Sequence, residues 1–266
     1  MNPLRRRSSL IYAFLFSFVE LLAPSLTPRA SAAGFYNLGA NWHAPKITAV
    51  QTAPFFHGSG QTTASVTFSS VPTIGNTIIV TAWIALATGT ASNSTLGVNA
   101  ASDTMNTYTR AVTSFTTGVL AISIYSAKVV TNTAPFTVTV SGFTSSYVYL
   151  TATEWSGIVA SSPVDQTQST TGASGSARAT GTTGTTTRNY ELVVAAAADP
   201  SSAAVITYTN SSGFTARASE TDGNNQVAGQ SVDKIVTSAG PQSCNWTTTS
   251  PTTSWAGAIA TFKAKH

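Results

Sequence analysis

Ile122-Ser123-Ile124-Tyr125-Ser126, inside the run Val119–Lys128, sets apolar and hydroxyl side chains in alternation. Successive side chains of a strand point to opposite faces, so this run predicts a β-strand with one face on a core. The other face meets solvent or a second layer. Ser65-Val66-Thr67-Phe68 and Thr137-Val138-Thr139-Val140 carry the same pattern. Further strands are predicted over Ile47–Thr52, Thr62–Phe68, Asn76–Leu86, Thr107–Thr113, Phe136–Ser141 and Tyr147–Trp155. Glu191–Ala198, Val205–Thr209, Gln226–Val236 and Ser254–Lys263 complete the set. All are rich in Val, Ile, Thr and aromatic residues, and helical periodicity is nearly absent.

The connectors carry turn chemistry: Pro72-Thr73-Ile74-Gly75-Asn76, Ser141-Gly142, Asp199-Pro200 and Asp222-Gly223-Asn224-Asn225. Many short strands at this spacing predict an all-β fold, a two-sheet antiparallel β-sandwich of jelly-roll type. A pair of smaller immunoglobulin-like sandwiches is the alternative, with its boundary in the Gly/Ser/Thr-rich tract 172–187. That tract is read instead as a long surface loop flanking one more strand, within a single domain over residues 47–266.

Residues 1–33 have the layout of a secretory signal peptide. Arg5, Arg6 and Arg7 form a basic start, and an apolar run follows from Leu10 to Ala23, interrupted only by Ser17 and Glu20. Pro24 and Pro28 precede the small-x-small site Ala30-Ser31-Ala32. The apolar run is shorter than the roughly 20 residues that span a bilayer, so no stable membrane span is expected after cleavage. General secretion is favoured over the twin-arginine route, because Ser9 stands where that motif prefers an aromatic residue. The expected location is extracellular or periplasmic. Residues 34–46 lack a strand pattern and read as an extension, with Phe35, Tyr36 and Trp42 to lay it on the body.

The leader also explains the charge. The chain has 13 basic and 9 acidic residues and a pI of about 9.3. Arg5, Arg6, Arg7, Arg29 and Glu20 leave with the leader, which leaves 9 against 8 and a formal charge of +1. No basic patch remains to steer nucleic acid, so that partner is not expected. The single cysteine, Cys244, permits no intramolecular disulfide and is expected to be buried.

Three pieces then combine. Gly75-Asn76-Thr77-Ile78-Ile79-Val80 is followed by Ser102-Asp103-Thr104-Met105-Asn106-Thr107-Tyr108-Thr109. Ala152-Thr153-Glu154-Trp155-Ser156-Gly157 and Pro163-Val164-Asp165-Gln166 come next. This order resembles a group of secreted bacterial β-sandwich proteins of mostly unassigned function. They carry a G-N-T-hydrophobic strand, a D-x-x-x-N-x-Y turn and an E-[YW]-x-G strand end. The resemblance covers most of residues 47–198 and implies a jelly-roll, lectin-like fold. It implies no reaction. Met105 stands where such turns often have Gly.

Glu154 is the foremost candidate for chemistry. A carboxylate in an apolar, hydroxyl-rich strand is costly to bury without a partner. As a glycosidase acid or nucleophile it needs a second carboxylate about 5–10 Å away, with Asp165, Glu191 and Glu220 as candidates. Its structural reading is a bond to Arg110, Arg217 or a loop backbone. A catalytic Glu154 predicts that Glu154→Gln abolishes activity and leaves the melting temperature nearly unchanged. Asp103 and Asn106 offer oxygens to Ca²⁺, or else lock their own turn. No other cofactor is expected. His57 is a candidate base only if a serine and an acid converge on it, and Ser231-Val232-Asp233-Lys234 matches S-x-x-K in a strand context. Two internal histidines, His43 and His57, and one cysteine argue against a zinc site.

Aromatic side chains can stack on sugar faces while polar neighbours bond the hydroxyls. Trp155, Trp246, Asn245 and Tyr108 are the candidate ligand-binding residues, with Trp246 expected to be exposed. The leading expectation is a secreted, non-catalytic β-sandwich that binds polysaccharide or surface glycan, or acts in adhesion. A secreted glycosidase or esterase using Glu154 is the second reading. A self-assembling surface protein pairing its strand edges is the third.

Overall fold

The computed structural model describes residues 46–86, 100–116, 119–200, 205–221, 227–252 and 254–265. The expected leader, almost all of the extension and the Asp222–Asn225 turn lie outside the described residues. Residues 43–266 form one compact unit. Every regular element among the described residues is a strand, and every pairing is antiparallel.

The strands form three sheets. The first contains β1 (Thr48–Thr52), β2 (Phe56–Thr67), β3 (Thr77–Leu86), β4 (Ala100–Ser102), β5 (Tyr108–Thr116), β6 (Leu120–Lys128) and β7 (Thr137–Ser156). Its order is β1-β7-β3-β6-β5, with β2 and β4 also pairing on β7. The second contains β8 (Val164–Gly172), β10 (Glu191–Asp199), β12 (Thr215–Glu220), β13 (Ala228–Val236) and β15 (Trp255–Lys263), in the order β12-β13-β10-β15-β8. The third is β11 (Tyr208–Asn210), β14 (Asn245–Thr252) and β9 (Gly175–Ala179).

Most predicted strands are present, with instructive differences. Phe136–Ser141 and Tyr147–Trp155 join into one 20-residue strand, β7. The expected turn at Ser141-Gly142 is a point inside it where Gly142 takes a positive φ of 87°. That strand is shared: β2 pairs along most of its length, and β1 and β3 pair with its second half. The first sheet thereby wraps nearly closed, like a barrel, around Ile78, Val80, Ile84, Val138, Val140 and Leu150.

Three apolar clusters lie one after another. β3 sends Ile78, Val80, Ala82 and Ile84 into the barrel-like core, and Ile79 and Trp83 onto the second sheet. There they meet Leu192, Val194, Ala196 and Ala198 of β10. The opposite face of β10 packs Val193, Ala195 and Ala197 against Tyr208 and Trp246 of the third sheet. Strands covered on both faces lose the need for alternation. This is why β10 reads Leu-Val-Val-Ala-Ala-Ala-Ala and is buried throughout. Ser123 and Ser126 of β6, too, are buried rather than turned to water.

One strand pattern occurs twice. In the first copy the order is β1-β7-β3-β6-β5; in the second it is β8-β15-β10-β13-β12. β2 and β4 pair on the start of β7 as β9 and β11 pair on β14. The register repeats as well. Ile78 lies opposite Ala127 and Glu154, and Val193 lies opposite Lys234 and Thr261, with equal chain spacing between the two partners and each turned away from the other copy. Even the irregularities correspond, between Arg110 and Val112 in β5 and between Ala216 and Ala218 in β12. The join falls at residues 157–163, before the tract 172–187, which holds β9.

The copies stack with reversed strand order, as an approximate two-fold axis requires. The edge strand β5 lies beside β8, and the Ser114 hydroxyl donates to the Thr170 carbonyl at 3.2 Å. At the other edge, Arg217 of β12 lies over Trp155 of β7, 5.2 Å from the ring centre.

Candidate functional site

The three motifs that carry the resemblance are turn locks. Glu154 on β7 faces Gln51 of β1 and Ile78 of β3 in the ladder and is fully buried. Its Oε2 accepts from Gln51 Nε2 at 2.7 Å. Its Oε1 accepts from the Thr73 backbone N–H at 2.8 Å and from Asn76 Nδ2 at 2.5 Å. The carboxylate thus closes the Pro72–Asn76 turn and ties the G-N-T motif to the E-W-x-G strand end. The loop-backbone reading of Glu154 holds, while its arginine candidates act elsewhere. Gly157 ends the motif at φ 82°, where an added side-chain carbon would overlap the Lys46 carbonyl.

The D-x-x-x-N-x-Y turn follows the same logic. Asp103 Oδ1 accepts from the backbone N–H groups of Met105 and Asn106, at 2.8 and 2.7 Å. Oδ2 accepts from Asn106 Nδ2 at 2.8 Å and from the Tyr108 hydroxyl at 3.0 Å. Four donors fill the roughly four lone-pair positions of a carboxylate. Asn106 Oδ1 in turn accepts from Val130 and Thr131 N–H. These oxygens are engaged by protein donors, so the turn-locking reading accounts for both residues. Burial, with the Asp103 charge, pushes the Tyr108 phenol far above its usual value and keeps it a donor. Among the described residues no group of three or more His, Cys, Asp or Glu converges as a metal site.

The aromatic candidates are placed differently from the expectation. Trp246 is 2% exposed, and its Nε1 donates to Gln230 Oε1 at 2.9 Å. It faces inward because β14 is covered by the second sheet, a layer that the local Asn245-Trp246-Thr247 pattern could not announce. Trp155 is also buried, under the Arg217 guanidinium. Neither offers a ring face to a sugar. Tyr108 packs on the barrel-like core, and Asn245 is exposed beside the buried Trp246. Trp155, Trp246, Tyr108 and Asn245 are not gathered into one surface.

His57 belongs to β2 rather than to a loop, and its Nδ1 lies 3.6 Å from Glu220 Oε2. Its ring stacks on Phe55, and no serine hydroxyl joins it among the described contacts. Ser231 is buried in β13, and its neighbour Asp233 is held by Arg217. Cys244 is buried, and burial pushes its thiol up to about 11, leaving it unreactive.

Two further clusters centre on buried ionisable side chains. The first, around Arg178, has no forerunner in the sequence motifs, and the second joins Glu191 and Asp165, two of the candidate carboxylate partners of Glu154. Arg178 and Asp199 form an ion pair with both side chains at 0% exposure. Thr252 and Tyr208 hydroxyls also donate to Asp199, and Arg178 Nη1 reaches the Gly175 carbonyl at 2.7 Å. Glu191 lies at the start of β10, fully buried, with neither carboxyl oxygen in a well-formed hydrogen bond among the described residues. Burial lifts its carboxyl to about 7; the Thr261 hydroxyl opposes the shift and the facing Asp165 carboxylate adds to it. Asp165 is itself anchored by the Thr187 backbone N–H and hydroxyl, both at 2.6 Å.

The open surface is of another kind. A groove of about 510 Å³ is lined by Thr77, Thr107, Thr109, Ser126, Lys128 and residues 159–164. A second, of about 550 Å³, is lined by Ser102, Thr104, Thr133, Thr137 and Thr139 around the Asp103 turn. A third, of about 220 Å³, lies between the β5 and β8 edges, with Thr113, Ser114, Ser169, Thr170 and Thr171. No protein family, curated protein or solved structure matches this chain.

Proposed function

We propose that this chain is a secreted, non-catalytic β-sandwich of jelly-roll type that binds polysaccharide or surface glycan. The observation that carries the reading is the lining of the grooves. Thr and Ser, whose hydroxyls both donate and accept, make up most of the residues lining each of the three, with apolar surface between them, which suits the mixed polar and apolar faces of a sugar. Glu154, the carboxylate on which a hydrolase reading depends, is sealed behind Gln51, Thr73 and Asn76. A glycosidase needs a carboxyl pair in reach of the sugar, so this favours binding over hydrolysis. The contact chemistry is hydrogen bonding to hydroxyls rather than stacking on Trp155 or Trp246.

The test is retention of the purified protein on insoluble cellulose, chitin and xylan, together with a glycan array. Retention on one polymer or glycan class without release of reducing sugar is the expected result. Failure to bind any glycan on either platform would sink the reading.

A further inference from the structure

A pair of lysines meets at the edge of the first of these grooves. Lys128 ends β6 and lines the groove of about 510 Å³. Its Nζ donates to the Gly75 carbonyl, and Lys265 Nζ points to that same oxygen at 3.3 Å. Two ammonium groups therefore converge on one neutral acceptor. Among the described residues neither forms an ion pair with a carboxylate. Burial, and then repulsion from Lys265, holds Lys128 below the ordinary lysine range. An anion placed between them relieves that repulsion.

The surroundings supply more donors. The Thr77 hydroxyl, buried at 2% exposure in the groove wall, has no hydrogen-bond partner among the described residues. Thr109 and Ser161 add exposed hydroxyls, and Ser162 holds a positive φ of 46°, a conformation uncommon for serine. The nearest acid along the chain, Asp165, is turned onto Thr187.

We propose that the Lys128–Lys265 pair and the adjoining hydroxyl-lined groove form a subsite for an anionic sugar, a uronate or sulfate-bearing residue of an acidic polysaccharide. The proposal rests on the glycan-binding reading and narrows its ligand class. Lysine ammoniums act as point charges on the anion, and the hydroxyls bond the neighbouring ring oxygens.

Affinity electrophoresis through gels containing polygalacturonate, dextran sulfate or neutral dextran tests it, alongside the neutral insoluble polymers. Polygalacturonate and dextran sulfate separate the carboxylate from the sulfate source. The expected result is retardation by at least one acidic polymer, weakened about tenfold or more in Lys128→Gln/Lys265→Gln. Thr109→Glu, which adds a carboxylate at the groove without touching the lysines, is expected to weaken it similarly. Lys234→Gln, which removes one charge where Lys234 packs over Phe214, is expected to retain binding. Binding to acidic polymers that survives both groove variants would overturn the subsite. Binding to neutral polymers alone would overturn it and leave the glycan reading standing. Absence of binding to any polymer would overturn both.

Discussion

The two copies of the strand pattern have the same order and register but are fastened by different polar chemistry. In the first copy the Glu154 carboxylate collects three neutral amide donors from β1 and the Pro72–Asn76 turn, and Asp103 locks its own turn with neutral donors in the same way. At the ladder position matching Glu154 the second copy has Thr261, a fully buried hydroxyl. It is fastened instead by Arg178 and Asp199, which join the third sheet to the end of β10. The side chains between the sheets differ too. The first copy presents Trp83, Tyr149 and Trp155, and the second answers mainly with alanines and with Gly229, which lies under the Trp83 ring. The lesson is that backbone pairing and complementary volume define this fold, while the polar lock is interchangeable.

The strongest way to break the comparison is to remove one partner of the buried ion pair. In Arg178→Met the Asp199 carboxylate keeps the Tyr208 and Thr252 hydroxyls but loses its counter-charge at 0% exposure. Leaving a charge buried and unpaired costs on the order of 3–5 kcal/mol. Urea unfolding monitored by tryptophan fluorescence should show a midpoint well below wild type. An unchanged midpoint would show that the second copy does not depend on this lock.

Glu154→Gln is the corresponding cut in the first copy, and a smaller one. The amide preserves size but must turn an N–H₂ group toward donors, so at least one bond to Gln51, Thr73 or Asn76 is lost. A hydrogen bond to a charged group is worth about 1.5–3 kcal/mol. A melting temperature lowered by several degrees is expected from differential scanning calorimetry. A catalytic Glu154 predicts the opposite, an unchanged melting temperature.

Much of the fold was legible in the sequence, and the reasons for the rest are physical. Strands such as β3, β6, β10 and β15 announce themselves by apolar β-branched runs, because buried ladders need them. The repeat was hidden because corresponding positions differ in volume and polarity. Trp83 corresponds to Ala198 and Glu154 to Thr261, as each copy complements the other instead of resembling it. Short edge strands such as β9, Gly175-Ser176-Ala177-Arg178-Ala179, carry no apolar pattern and read as loop. Trp246 was read as exposed because its Thr-rich neighbours look like surface, yet β14 alternates, with Trp246 and Thr248 inward. Glu154 was singled out correctly as an anomaly, but cost of burial identifies only that a partner exists. Its partners lie on β1 and a turn far away in the chain, where spacing gives no hint.

The finest distinction between the copies is just before the corresponding positions Thr77 and Leu192, where the first copy has Asn76 and the second Glu191. Asn76 is neutral at all pH values, whereas Glu191 titrates. Its carboxyl is raised from 4.5 to about 7 in the fold, first by burial, so folding favours the protonated form. The contribution is then fully present below pH 4.5 and is lost as pH rises from 4.5 through 7. Wild-type stability should therefore decline across that window, apart from the slopes of other groups. Glu191→Gln keeps a neutral polar group of the same shape and removes this titration. Melting temperatures of the two proteins at pH 4 and pH 8 give the difference directly. A variant nearly equal to wild type at pH 4 and more stable at pH 8 is expected. Parallel curves would mean that Glu191 ionises as freely folded as unfolded, and that the second copy carries no proton-linked weakness that the first lacks.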